Sequence, residues 1–169
     1  MPIDDELRVL QSGPLYHFSD WPNEAIPQVA AGVYTIWRGA ELMYVGMSGR
    51  ALTAAHIDRY RNEGLKGKGL YSRLASHAAG RRSGDQFCVY VSDRLVLPTL
   101  SASQIQRVAS AELSLDRLTR EYIHENLAYR AVEASCGADA HILEHRIRVG
   151  DWVAGKPFLN PAGRRPSPT

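Results

Sequence analysis

Cysteine is scarce in this chain of 169 residues: Cys88 and Cys136 are the only two. That excludes a secretory disulfide framework and points to a reducing, cytoplasmic setting. Cys88 lies in an apolar run and reads as a small core residue. A basic segment followed by an apolar one is missing from the start, where Met1-Pro-Ile-Asp-Asp-Glu is acidic, so no signal peptide is expected. No apolar stretch approaches the roughly 20 residues that cross a bilayer, so no membrane association is expected. A strong charge bias is also lacking. The formal net charge of +2 does not by itself announce a nucleic-acid partner. No repeat or coiled-coil heptad is present, and the oligomeric state is left open. What remains is a composition that is 44% hydrophobic and 22% charged, ordinary for one globular domain able to bury a core without staples.

Charge is concentrated locally. Arg59, Arg61, Lys66, Lys68, Arg73, Arg81 and Arg82 crowd one region, opposed there mainly by Asp58 and Glu63. Residues 1–25 read as an N-terminal extension, with a short helix over Ile3–Leu10 broken at Gly13-Pro14. Residues 32–37 and 41–46 are rich in β-branched and aromatic side chains around Arg38-Gly39-Ala40, a hairpin signal. A three-residue loop would set Tyr34 opposite Tyr44 on one face. A two-residue loop at Gly39-Ala40 would send the two rings to opposite faces.

Helices are expected over Thr53–Asn62, over Leu70–Ala79 with Gly80 as C-cap, in two segments around Ser114 between Ser103 and Asn126, and over Ala138–Val149. In the last, Ala140, Leu143 and Ile147 form one stripe. Gln86–Leu97 and Leu127–Glu133 read as strands. The expected architecture is α+β, with layered helices flanking a small, mainly antiparallel central sheet begun by the tyrosine hairpin. Residues 26–161 form the main domain, with inserted segments at 47–69 and 98–126, and 162–169 read as a disordered tail.

Gly32-Val33-Tyr34, Tyr44-Val45-Gly46, Arg73 and His77 four apart on a helix, Glu144 in a leucine-containing helix and Asn160 after Phe158-Leu159 follow one another in that order. In this order the chain resembles the GIY-YIG nuclease family, over about Ile26–Pro161, with valine for isoleucine in both tyrosine motifs. The resemblance implies an endonuclease domain that cuts phosphodiesters in DNA, with Tyr34, Tyr44, Arg73, His77, Glu144 and Asn160 as its site residues and Glu144 as the ligand of one Mg²⁺ or Mn²⁺ ion. Family members carry the arginine soon after the second tyrosine motif, whereas Met47–Gly69 intervenes here, which makes Arg50 a competitor. Arg73 is preferred because a histidine follows it at helical spacing.

The residues suit that chemistry. A phosphodiester must lose a leaving alkoxide while water gives up a proton and charge on the phosphoryl oxygens is stabilised. One carboxylate suffices for Mg²⁺, which keeps several waters and takes substrate oxygens. A two-metal site would need clustered acids, which the chain lacks. Tyr34 is expected as general base in the field of Arg73 and the metal, with Tyr44 positioning water or phosphate. His77 would orient Tyr44 or bind phosphate, and Asn160 would tie the chain end to the hairpin. Lys66, Lys68, Arg81 and Arg82 are expected to touch the nucleic-acid backbone without reading sequence.

Two rival readings remain. One is a catalytically inactive nucleic-acid-binding module of the same fold. The other is a zinc peptidase, because His141-Ile142-Leu143-Glu144-His145 fits the H-x-x-E-H pattern. A zinc site wants a further ligand downstream, where Asp151 is the sole carboxylate side chain.

Overall fold

The computed structural model describes residues 3–150 and 152–160. In chain order its elements are helix α1 (Ile3–Ser12), strand β1 (Tyr16–His17), strands β2 (Val29–Arg38) and β3 (Glu41–Ser48), helix α2 (Ala54–Asn62), strand β4 (Lys68–Gly69), helices α3 (Leu70–Ala79), α4 (Gln86–Val91), α5 (Ala102–Ala109) and α6 (Leu115–Asn126), strand β5 (Ala128–Ala134) and helix α7 (Gly137–Val149). The fold class is α+β. Strands run in the order β1-β5-β2-β3, all antiparallel, and β4 adds a short parallel bridge to the start of β2. Among the described residues no helix is long and apolar enough to cross a membrane. The tail at 162–169 lies outside the described residues.

The hairpin solves its register in a way that neither simple loop predicts. Arg38 pairs with Glu41 and Trp37 with Leu42, so the loop is the two residues Gly39-Ala40. The ladder then shifts between Trp37 and Ile36, and Ile36 pairs with Tyr44 while Tyr34 pairs with Gly46. The extra residue on β3, Met43, is a bulge. A bulge inserts one residue and so reverses the facing of everything beyond it. Tyr34 and Tyr44 therefore share a face despite the short loop, set diagonally rather than opposite each other.

Two cores sandwich the sheet. On one face Tyr34, Ile36 and Tyr129 pack with Leu70 and Leu74 of α3, Phe87, Cys88 and Val91 of α4, and Ile123 of α6. On the other, Val33, Trp37, Val45 and Val132 pack with Leu7 and Leu10 of α1 and with Ala140, Leu143 and Ile147 of α7. The segment 3–25, expected as an extension, contributes to both cores. Leu10 and Phe18 are fully buried in the two cores, each removing apolar area worth about 1.5–3 kcal/mol. The segment 98–126, expected as an insertion, likewise sends Leu115 and Ile123 into the core.

Gln86–Leu97 is helical, not a strand. Its valines and aromatic residues favour β structure in isolation. Here Asp85 caps the first turn, accepting from the Phe87 and Cys88 amides, and Phe87, Cys88, Val91 and Leu95 recur at helical spacing on the buried side. A π turn at Ser92–Val96 and a 3₁₀ turn at Leu97–Thr99 extend it. Burial of that stripe outweighs a propensity difference of only some tenths of a kcal/mol per residue.

Candidate active site

The hairpin supplies the floor. Tyr34 is buried at 2% exposure and its ring lies over Gly46, where an added Cβ would overlap the Tyr34 hydroxyl and approach Cζ to 2.5 Å. The glycine of the second motif is therefore demanded by the tyrosine of the first. Tyr44 packs its ring against Tyr34, His77 and Phe87, with centroids 6.4, 6.2 and 5.1 Å apart.

Helix α3 supplies Arg73 and His77 on one side, one turn apart. Gly80 ends the helix in the left-handed conformation, at φ +69°, and turns the chain toward Asp85. His77 is buried and joined at both ring nitrogens. Its Nε2 lies 2.8 Å from the Tyr34 hydroxyl and its Nδ1 2.6 Å from Asp85 Oδ2. The other carboxylate oxygen of Asp85 accepts from the amides of Phe87 (3.0 Å) and Cys88 (3.4 Å). The role expected of His77 is to orient Tyr44 or bind phosphate; its ring does pack against Tyr44, but its hydrogen bond goes to Tyr34, and Asp85 holds it from behind.

Glu144 comes from α7, which packs on the opposite face of the sheet. Strand β3 is the sheet edge, and around it Glu144 reaches the tyrosines. Tyr34, Tyr44, Arg73, His77, Asp85 and Glu144 line a single cavity of about 230 Å³, with Gly46, Met47 and Gln86 completing the wall. Arg73 has no ion-pair partner among the described residues, and Arg50 is exposed on a loop and does not line the cavity.

Asn160 is not in the cavity. Its side-chain oxygen accepts from the Val45 amide at 2.8 Å and its amide nitrogen donates to the Val45 carbonyl at 2.9 Å. With Phe158 and Leu159 donating to the Leu42 and Met43 carbonyls, it closes the free edge of β3, a structural tie rather than chemistry. Lys66 and Lys68 are exposed near the start of α3. Arg82 is paired with Asp116 at 2.8 Å, and Arg81 lines a different cavity with Trp21, Arg120 and His124.

Burial governs the electrostatics. It pushes the Tyr34 phenol well above its ordinary value and Tyr44 up to about 12, with Arg73 pulling both back. Burial also lowers His77, against the pull of Asp85, which favours the neutral imidazole. Burial would raise Asp85, but the hydrogen bonds it receives from His77, Ser76 and the Cys88 amide hold it below the ordinary carboxylate range. Glu144 is raised by burial, partly offset by Arg148 at 3.4 Å and by His141 and His145.

The donor set fits one hard cation and not zinc. Both Asp85 oxygens are committed, which leaves Glu144 as the cavity's one carboxylate without a backbone or histidine hydrogen bond among the described residues; its partner is Arg148, at 3.4 Å. The ligand atoms of His77, Asp85 and Cys88 lie within 4.8 Å of one another, but the histidine and aspartate are hydrogen-bonded together. Burial pushes the Cys88 thiol up, away from the thiolate a metal needs. His141 and His145 face solvent while Glu144 is buried, so the H-x-x-E-H pattern does not converge on one point.

Asp85, Gln86 and Met47 were missed by sequence reasoning. Asp85 alone carried a signal, as a helix cap preceding Phe87, Cys88, Val91 and Leu95. No family model, no curated protein and no solved structure matches this chain.

Proposed function

We propose that this chain is a divalent-metal-dependent endonuclease that hydrolyses phosphodiester bonds in DNA, of the GIY-YIG type that its motif order resembles. The observation that carries the reading is convergence. Side chains from the hairpin, α3 and α7, up to 110 positions apart in the chain between Tyr34 and Glu144, meet at one small cavity.

Each group has work suited to its chemistry. Tyr34 takes a proton from the attacking water. Its own phenol proton passes to the bare Nε2 of neutral His77, so a free phenolate, which burial opposes, is never required. Arg73 offers a planar fork of donors to the phosphoryl oxygens as negative charge builds there. Tyr44 orients the water or the phosphate. Glu144 would hold the metal, and bound Mg²⁺ would neutralise charge on the leaving oxygen.

Supercoiled plasmid incubated with the protein and Mg²⁺ should be nicked. EDTA or Glu144→Ala should abolish the nicking, with a loss of about 10²-fold or more in rate. Tight DNA binding without any metal-dependent cleavage would overturn this reading in favour of an inactive binding module.

A further inference from the structure

Neutral imidazole carries one ring proton, and which nitrogen holds it is set by the partner of the other. His77 has a partner on each side: the Tyr34 hydroxyl at Nε2 and Asp85 Oδ2 at Nδ1. The Asp85 carboxylate has no proton to give, so Nδ1 must be the donor and Nε2 the acceptor. All three side chains are at most 2% exposed.

We propose that Asp85 is a positioning residue that locks His77 as the Nδ1–H tautomer, leaving the Nε2 lone pair to receive the Tyr34 proton. The proposal rests on the nuclease reading above. In the step concerned, a water O–H bond breaks and its proton goes to Tyr34 Oη. The Tyr34 O–H proton moves to His77 Nε2 as the new P–O bond forms and the leaving P–O bond breaks. The leaving oxygen takes a proton from solvent, and the His77 imidazolium, held beside the Asp85 carboxylate, later returns its extra proton to solvent.

The geometry makes Asp85→Asn a directional probe. One oxygen of residue 85 is required by the Phe87 and Cys88 amides at the start of α4. The amide oxygen of asparagine would keep that cap, so its NH₂ group would face His77 Nδ1. Nδ1 would then have to accept, and the ring proton would move to Nε2, where it points at Tyr34 and blocks the transfer. The helix cap survives while the tautomer inverts.

The test combines long-range ¹⁵N–¹H correlation spectra of the histidine rings with single-turnover nicking of supercoiled plasmid in Mg²⁺. Wild-type protein should show a protonated Nδ1 and bare Nε2 at His77. Asp85→Asn should show the reverse and lose about 10²–10⁴-fold in cleavage rate, the scale on which a wrong tautomer slows a histidine base. Asp85→Ser also caps a helix but offers Nδ1 no carboxylate. It should slow cleavage as well, and it carries the test should the asparagine variant not fold. A wild-type His77 with its proton on Nε2 overturns the proposal. So does an Asp85→Asn or Asp85→Ser protein that cuts at the wild-type rate, and that result leaves the nuclease reading standing. Wild-type protein that cuts nothing overturns the nuclease reading and the role of Asp85 together.

Discussion

The two faces of the sheet bury polar groups in opposite ways. On the face covered by α1 and α7, the Thr35 hydroxyl donates to the Leu10 carbonyl at 2.9 Å and accepts from the Trp37 indole at 2.8 Å. That chain of hydrogen bonds is closed: the Thr35 hydroxyl and the Trp37 indole are both satisfied inside the fold, in the core that holds Val33, Val45, Val132 and Leu143. On the face covered by α3, α4 and α6, the chain runs from the α4 amides through Asp85 and His77 to Tyr34, and there it meets a cavity shared with Arg73 and Glu144. A buried polar network is tolerated when satisfied. This one ends on a cavity beside a guanidinium that has no ion-pair partner among the described residues.

Substitutions on the two faces should therefore separate stability from activity. Arg73→Ala should lower plasmid cleavage by about 10²-fold or more while leaving the melting temperature nearly unchanged, because Arg73 is half-exposed and has no ion-pair partner among the described residues. Leu10→Ala on the other face should do the converse. It should lose about 2–5 kcal/mol of stability in denaturant titration, with the cleavage rate per folded molecule intact. Equal effects of both on both measurements would erase the distinction between the faces.

Acid should act on the His77 face. The folded His77 lies below its ordinary value, so the unfolded chain takes up the proton first as pH falls. Stability is then full above the ordinary histidine value of about 6.5 and declines as pH falls through the folded value. Cleavage should fall along with it, since the imidazolium has no lone pair for the Tyr34 proton. Thermal melts and nicking rates from about pH 8 to about pH 5 check this, and His77→Asn should flatten the histidine part of the melting slope.

The smallest effect concerns Glu144, whose folded value is raised because burial penalises the charged form. Folding is thus opposed by that charge as pH rises through the folded value, the reverse sign to His77. Glu144→Gln should gain a few tenths to about 1 kcal/mol in stability at neutral pH while losing cleavage, a stability–activity exchange expected of a functional carboxylate. A variant less stable than wild type at neutral pH would contradict the burial argument.

Much of the fold was legible because its signals are local. Gly80 and Gly150 stop helices in the left-handed conformation, Ser114 caps α6, and the stripe of Ala140, Leu143 and Ile147 is buried as its spacing implies. The α4 segment was misread because its side chains favour a strand on their own, and only burial against α6 and the sheet decides for a helix. The Met43 bulge was invisible because Arg38-Gly39-Ala40 is compatible with either loop, and the ladder beyond selects the register.

By itself, the order of residues settled which chemical groups this protein has and roughly where its helices begin and end, since capping, periodicity and turn preference act within a few neighbours. It also ordered two phenols, a guanidinium, an imidazole and a lone acid along the chain. Tertiary structure alone decided that β3 is an edge around which Glu144 can reach, that the bulge brings both phenols to one face, and that Asp85 stands behind His77. Those outcomes depend on contacts between distant segments, whose energies exist only once the core has closed.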